Sequence, residues 1–327
     1  MEFKEKYQAL LSKIESRITE IVPKKLPHNL YAPFSYIMQS GGKRFRPVIA
    51  LISCGVVGAN PDDAIDAGVA LEILHNFTLV HDDIMDNSPI RRNRPTVHKK
   101  WSEAIAILAG DVMVGYAYSL LPSPSINPNS EEIHKIFTNE LIEVCEGQVL
   151  DMDFNERTDV NMDEYINMID KKTARLMETS SAIGALVGNG SDIEIMALRN
   201  ITRTMGIAFQ IQDDLLDMTA EQAKLGKRIG NDLLEGKKTY LIIKAKEIAN
   251  DKIDIDFIDY YYKNNGLKEN ETEQMNLIFH KYNIYDETLN EIERLFATTE
   301  NQFRYLHNND YTMLLNQLIN KIRSREF

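Results

Sequence analysis

Apolar residues recur every three or four positions along almost the whole chain. Phe3, Tyr7, Leu10, Leu11, Ile14, Ile18 and Ile21 step in this way and fall on one face of a helix. Longer runs repeat the pattern: Asp62 to about Asp86, opened by Pro61 where proline is tolerated; Glu131 to about Met152; Asp163 to about Val187; and Ile193 to about Asp217. No sustained strand-type alternation appears. The breaks are compact, at Gly41-Gly42, Asn87 to Pro95, Pro122 to Asn129, Gly188-Asn189-Gly190 and Gly226 to Gly236. No solenoid-length repeat recurs, and no Gly/Ser/Pro-rich linker divides the chain. The pattern predicts one all-α domain over residues 1–327, a bundle of about a dozen long helices. The more polar C-terminal third, from about Asp251, adds helical spacing at Leu289, Ile292, Leu295 and Phe296 but no recognisable site.

Composition narrows the function. The 327 residues are 43% hydrophobic, enough to bury a real core. The formal charge of −12 argues against nucleic acid as a partner. An acidic protein that handles anionic substrates must gather its cations locally or use metal ions. Cys54 and Cys145 both lie in apolar surroundings and are expected to be buried free thiols, with no disulfide framework or zinc spacing. The N-terminus is charged, unlike a signal peptide, and the weakly polar stretch Val48 to Ala59 is too short to cross a bilayer. A cytoplasmic protein without stable membrane insertion is the expectation.

Two acidic clusters interrupt the apolar pattern. Asp82-Asp83-Ile84-Met85-Asp86 follows Phe77-Thr78-Leu79-Val80, and Asp213-Asp214-Leu215-Leu216-Asp217 follows Ile207 to Gln212. Each is a DDxxD pattern at the end of a long helix, so Asp82 and Asp86, like Asp213 and Asp217, sit one turn apart on one face. Like charges at this spacing disfavour the helix, and the negative end of the helix dipole disfavours them again. A hard divalent cation such as magnesium reverses both effects through carboxylate oxygens. One copy alone reads equally as a solvated acidic face; two copies, each behind apolar turns, point to metal.

Basic residues complement them. Gly41-Gly42-Lys43-Arg44-Phe45-Arg46-Pro47 places three cations in a glycine-opened turn at a helix start, a setting that favours a phosphate. Arg91-Arg92 follows Asp86 too closely to lie far from the first acidic cluster, where the same pair reads otherwise as simple charge balance. Lys172-Thr173 lies inside an apolar helix, and Lys227 and Lys237 flank a glycine-containing loop after the second cluster. Solvated lysines are the alternative there. His75 lies two turns before Asp82 on the same face, a place that also suits an ordinary core histidine.

In this order the pieces resemble the trans-polyprenyl diphosphate synthases, the family of farnesyl and geranylgeranyl diphosphate synthases. The matching segments are GGKRFRP at 41–47, LHNFTLVHDDIMD at 74–86, RR at 91–92, GQ at 147–148, KT at 172–173, GIAFQIQDDLLD at 206–217 and GKRIGNDLLEGKKT at 226–239, about two thirds of the chain. The resemblance implies helices around a deep central cavity (an isoprenoid synthase-like fold), a homodimer, and three magnesium ions, with manganese as a substitute. These would be held by Asp82, Asp86, Asp213 and Asp217. It also implies that Lys43, Arg46, His75 and Arg92 hold isopentenyl diphosphate, and that Arg91, Lys172, Gln210, Lys227 and Lys237 hold the allylic diphosphate. Lys172, Thr173 and Gln210 would be the catalytic group, with Thr173 and Gln210 facing the developing cation. The chain departs from the family at Asn93, where glycine is common, and at Tyr240-Leu241, where a proline often follows. Both departures put loop geometry in question rather than the ligands.

The implied reaction is a head-to-tail condensation of isopentenyl diphosphate with dimethylallyl, geranyl or farnesyl diphosphate. Phe77 and Thr78, five and four residues before Asp82, are the expected floor for the growing chain. In the family, aromatic residues at both positions accompany C15 products and small residues at both accompany long chains. One of each is expected to give C15 to C20, leaning to C20. A terpene cyclase of similar fold would not need the 41–47 segment. A non-catalytic subunit would have lost carboxylates, and a metal-storage protein would not explain the cations.

Overall fold

The computed structural model describes residues 3–219 and 230–324. Helix α1 (Phe3–Ile21) turns Leu10, Ile14 and Ile18 inward, on the face that the spacing marks. Helices α2 (His28–Met38), α3 (Phe45–Val56) and α4 (Ile65–Met85) follow. Pro61–Ala64 forms a 3₁₀ turn, capped by the Asn60 side chain accepting from the Asp62 amide at 3.2 Å, so α4 begins a few residues later than the periodicity suggests. One feature absent from the hydrophobic pattern follows α4: a two-residue hairpin, β1 (Ile90–Arg91) antiparallel to β2 (Arg94–Pro95). Then come α5 (Val97–Lys100), α6 (Glu103–Ser119), opened by the Ser102 side chain, and α7 (Ser130–Glu156).

The sequence predicts one helix from Asp163 to about Val187, and the fold breaks it. Helix α8 (Met162–Ile169) starts on a capping box of Asn161 and Glu164, a π turn occupies Asp170–Ala174, and α9 (Arg175–Val187) resumes. The cause is tertiary. Buried Asp170 takes both Nε and Nη2 of Arg203 at 2.7 Å and Nε of Arg175 at 3.2 Å. Two glycines let neighbouring backbone close on the turn: a Cβ at Gly147 would lie 2.6 Å from the Lys172 amide nitrogen, and one at Gly206 would lie 2.6 Å from the Ala174 Cα. Helix α10 spans Asp192–Thr219. The remaining helices are Asn231–Leu234, Tyr240–Ile248, Lys252–Asn264, Thr272–Lys281, Ile284–Glu300 and Asp310–Ser324.

The chain divides into two compact units. The first comprises the described residues up to Ile142, Leu176–Thr202 and those from Gln302 onward. In it α4 packs on α1, α3 and α6, and the C-terminal helix lies against α3. Asn309 donates to the carbonyls of Gly55 and Val56 at 3.1 and 2.9 Å, satisfying the end of α3. Cys54 is buried here, and burial pushes its thiol up to about 12. The second unit comprises Glu143–Arg175 and Arg203–Asn301, with Tyr165, Tyr261, Phe279 and Phe296 fully enclosed in its core. Cys145 falls in this unit and is exposed, contrary to the expectation of a buried thiol, because it lies on the outward face of α7. Among the described residues, no helix is long and apolar enough to cross a membrane.

Candidate active site

In the first unit the glycine-opened turn and the end of α4 form one basic surface beside acidic residues. Gly41, Gly42 and Arg44 all have positive φ (77°, 139° and 51°), and α3 starts at the next residue. A left-handed arginine is uncommon and needs outside support. Arg44 has it: Nη1 meets Glu72 Oε1 at 2.7 Å, Nε meets Glu15 Oε1 at 2.8 Å, and Nη2 donates to the Met38 carbonyl at 2.6 Å. Tyr7 on α1 donates to the Lys43 carbonyl at 2.8 Å. Arg44 is therefore spent on structure, whereas Arg46 keeps a buried Nε with no hydrogen-bond partner among the described residues. Lys43 is exposed, its Nζ 5.6 Å from the Phe45 ring centre.

The hairpin closes on this turn. Arg92 and Asn93 take φ of 50° and 59° at its tip, the left-handed pair of a tight two-residue turn. Asparagine tolerates that conformation, so Asn93 preserves the geometry that glycine would give. Arg92 Nη1 donates to the Gly41 carbonyl and, at 3.0 Å, to Ser40 Oγ. Arg91 Nε pairs with Asp83 Oδ1 at 2.7 Å. Asp83 is buried, whereas Asp82 is half-buried and Asp86 exposed, so the middle carboxylate braces Arg91 while the outer two stand one turn apart at the end of α4. His75 lies among these cations. Burial first, then the guanidinium groups of Arg46, Arg92, Arg91 and Arg44, hold its imidazole well below the usual range. Phe77 is buried with its ring edge-on to His81 at 4.7 Å, and Thr78 donates to the His75 carbonyl at 2.8 Å.

In the second unit a cavity of about 120 Å³ is lined by Asp151, Lys172, Thr173, Gln210, Asp232 and Lys237, among others. Lys172 reaches it from the π turn, with Nζ 2.5 Å from Asp151 Oδ2. Thr173 donates to Gln210 Oε1 at 3.2 Å, and Gln210 donates on to Asp214 Oδ1 at 3.2 Å. Asp214 is buried and also accepts from the Tyr165 hydroxyl at 2.6 Å and the Tyr240 amide at 2.9 Å. Burial, followed by the charge of Asp232, pushes its carboxyl up to about 7 against these hydrogen bonds. Asp213 is exposed; Asp217 is buried, and its Oδ2 accepts the Asp232 amide at 3.1 Å. Lys227 lies outside the described residues.

Sequence reasoning did not single out Tyr7, Glu15, Glu72, Asp151, Tyr165 or Asp232. Each looks like an ordinary helix or loop residue until the fold sets it against a motif residue. The two DDxxD motifs supply oxygen donors in pairs one turn apart, and among the described residues no three Asp, Glu, His or Cys side chains converge. That donor set fits magnesium, which needs only one or two protein carboxylates and fills its shell with water and phosphate oxygens.

A model of the family described as polyprenyl synthetase matches residues 27–278. A geranylgeranyl diphosphate synthase of Methanosarcina mazei is 44% identical over 237 residues, 72% of this chain and 73% of that protein. One from Saccharolobus solfataricus is 36% identical over 319 residues, 92% of this chain and 95% of its own. The crystal structure of a geranylgeranyl pyrophosphate synthetase from Pyrococcus horikoshii superposes with a TM-score of 0.91 at 33% identity, covering 99% of this chain and 98% of that one.

Proposed function

The chain belongs to the polyprenyl synthetase family of prenyltransferases, and on that footing we propose that it adds isopentenyl diphosphate to allylic diphosphates and stops at the C20 product, geranylgeranyl diphosphate. One observation carries the reading. In a protein of net charge −12, four arginines gather around a histidine kept neutral, the environment that a diphosphate anion requires.

The barrier is charge separation as the allylic C–O bond breaks. Fixed cations on the leaving diphosphate lower it most. Arg91, Lys172, Gln210, Lys227 and Lys237 would hold that group. Lys43, Arg46, His75 and Arg92 would hold isopentenyl diphosphate, with neutral His75 donating a hydrogen bond rather than charge. Thr173 and Gln210, already linked through their side chains, would turn oxygen lone pairs toward the allylic cation. Asp82, Asp86, Asp213 and Asp217 would hold magnesium, which supplies further neutralisation of the leaving diphosphate. The isopentenyl double bond attacks the cation, and the released diphosphate takes the proton, so no dedicated side-chain base is required. Phe77, with Thr78 beside it, would limit the chain. A homodimer belongs to the same reading, supported by Ile107 and Leu108, which α6 leaves 46% and 53% exposed.

The test is incubation with magnesium, isopentenyl diphosphate and each of dimethylallyl, geranyl and farnesyl diphosphate, followed by chromatography of the products. Accumulation of the C20 product from all three is expected. Termination at C15 or beyond C20 would overturn the length, and absence of condensation would overturn the reaction.

A further inference from the structure

The fold separates the adjacent lysines of Gly236-Lys237-Lys238-Thr239. Lys237 turns to carboxylates, with Nζ 3.0 Å from Glu235 and 3.3 Å from Asp232. Burial works against its charge, but Asp232 and Glu235 more than offset it and raise its pKa. Lys238 is 4% exposed, and its partners among the described residues are neutral: Nζ donates to the Gly236 carbonyl at 2.8 Å and to Asn265 Oδ1 at 3.1 Å. It lies 5.3 and 5.1 Å from the ring centres of Tyr261 and Tyr262. Among the described residues no ion pair reaches it. Burial, then repulsion from Lys246, draws its amine down to about 8. Burying an ammonium with no ion-pair partner among the described residues is costly, and a structural role would offset that cost.

The surrounding backbone indicates that role. Gly236 has φ of 74°, and a Cβ there would sit 2.3 Å from the Asn265 carbonyl oxygen. Asn265, itself left-handed with φ of 53°, ends the helix Lys252–Asn264. The Leu267 amide donates to the Leu233 carbonyl at 2.9 Å, and the Tyr261 hydroxyl donates to the Lys237 carbonyl at 2.5 Å. The chain on both sides of Lys237 is thus tied to residues 261–267, and Lys238 supplies the tie next to the glycine. Lys237 and Lys238 both line the 120 Å³ cavity that also contains Lys172 and Gln210.

We infer that Lys238 is a positioning residue: it clamps the Gly236 turn onto Asn265 and so fixes the direction in which Lys237 presents its charge to the allylic diphosphate. The inference rests on the role proposed above for Lys237. Lys238→Met keeps the apolar stem and removes the donors. Asn265→Gly keeps the left-handed backbone and removes the acceptor. Lys237→Ala tests the underlying role. KM for each substrate is measured separately in all three. Lys238→Met is expected to raise the allylic KM about tenfold, and Asn265→Gly about threefold, with KM for isopentenyl diphosphate unchanged within about twofold. If Lys237→Ala raises the allylic KM and Lys238→Met does not, the clamp is wrong. Should Lys238→Met fail to fold, an unchanged allylic KM in Asn265→Gly decides against it equally. A parallel rise in both KM values would reduce Lys238 to general stability and overturn the inference. An allylic KM unmoved by Lys237→Ala would overturn the role of Lys237 and the clamp with it.

Discussion

Replacing Arg44 by methionine tests whether charge holds the turn that carries Lys43 and Arg46. Arg44 and Glu72 are each 2% exposed and meet at 2.7 Å. At an effective dielectric near 20, charges this close attract by roughly 6 kcal/mol. Removing two ions from water costs several kcal/mol each, so the net worth of the intact pair is small. Losing one partner is a different matter. Glu15, with a side chain 45% exposed, can turn to water, but Glu72 would stay buried with, among the described residues, only the Asn76 amide, 3.0 Å away, as a side-chain donor. Arg44→Met should therefore lower the unfolding free energy by about 3–5 kcal/mol. Chemical denaturation followed by far-ultraviolet circular dichroism measures it. The double variant Arg44→Met/Glu72→Met removes the orphaned carboxylate and should recover most of the loss, because the two sites share one interaction. A cost below about 1 kcal/mol for Arg44→Met, or no recovery in the double variant, would refute the reasoning.

Asp82→Asn and Asp213→Asn should each lower kcat on the order of 10³-fold without lowering the melting temperature, and excess chelator should stop turnover of the parent; near-normal turnover in either variant counts against the metal assignment. Phe77→Ala should shift products beyond C20 at a stability cost of about 3–5 kcal/mol, and an unchanged product distribution places the floor elsewhere. The depressed His75 imidazole predicts a pH dependence. The unfolded chain protonates near 6.5 and the folded chain does not, so stability is full above that pH and falls below it by about 1.4 kcal/mol per unit for this one proton. His75→Gln should flatten that limb, and an NMR titration showing a charged His75 in the folded protein at about pH 6 would contradict it.

The helices, the two acidic motifs at helix ends and the two groups of basic residues were legible in the sequence, because each is a local pattern. A three-to-four spacing needs no distant partner to place Leu10, Ile14 and Ile18 on one face, and i,i+4 geometry alone pairs Asp82 with Asp86. Burial and pairing are not local, and there the tertiary structure decided. By residue type alone Arg44 and Arg46 read alike, yet Glu15 and Glu72, 29 and 28 residues away, take the first, and a buried nitrogen of the second has no partner among the described residues. Helical spacing sets Asp83 and Asp214 off the paired face but does not say what they do, and only the fold brings Arg91 and Tyr165 to them. The π turn at Lys172 exists because Gly147 and Gly206, on two other helices, admit backbone against it. Lys237 and Lys238 differ only in what surrounds them: carboxylates for one, tyrosine rings and a turn 27 residues away for the other. A side chain's charge comes from its own chemistry, but what that charge does depends on neighbours that only the folded chain brings within a few ångströms.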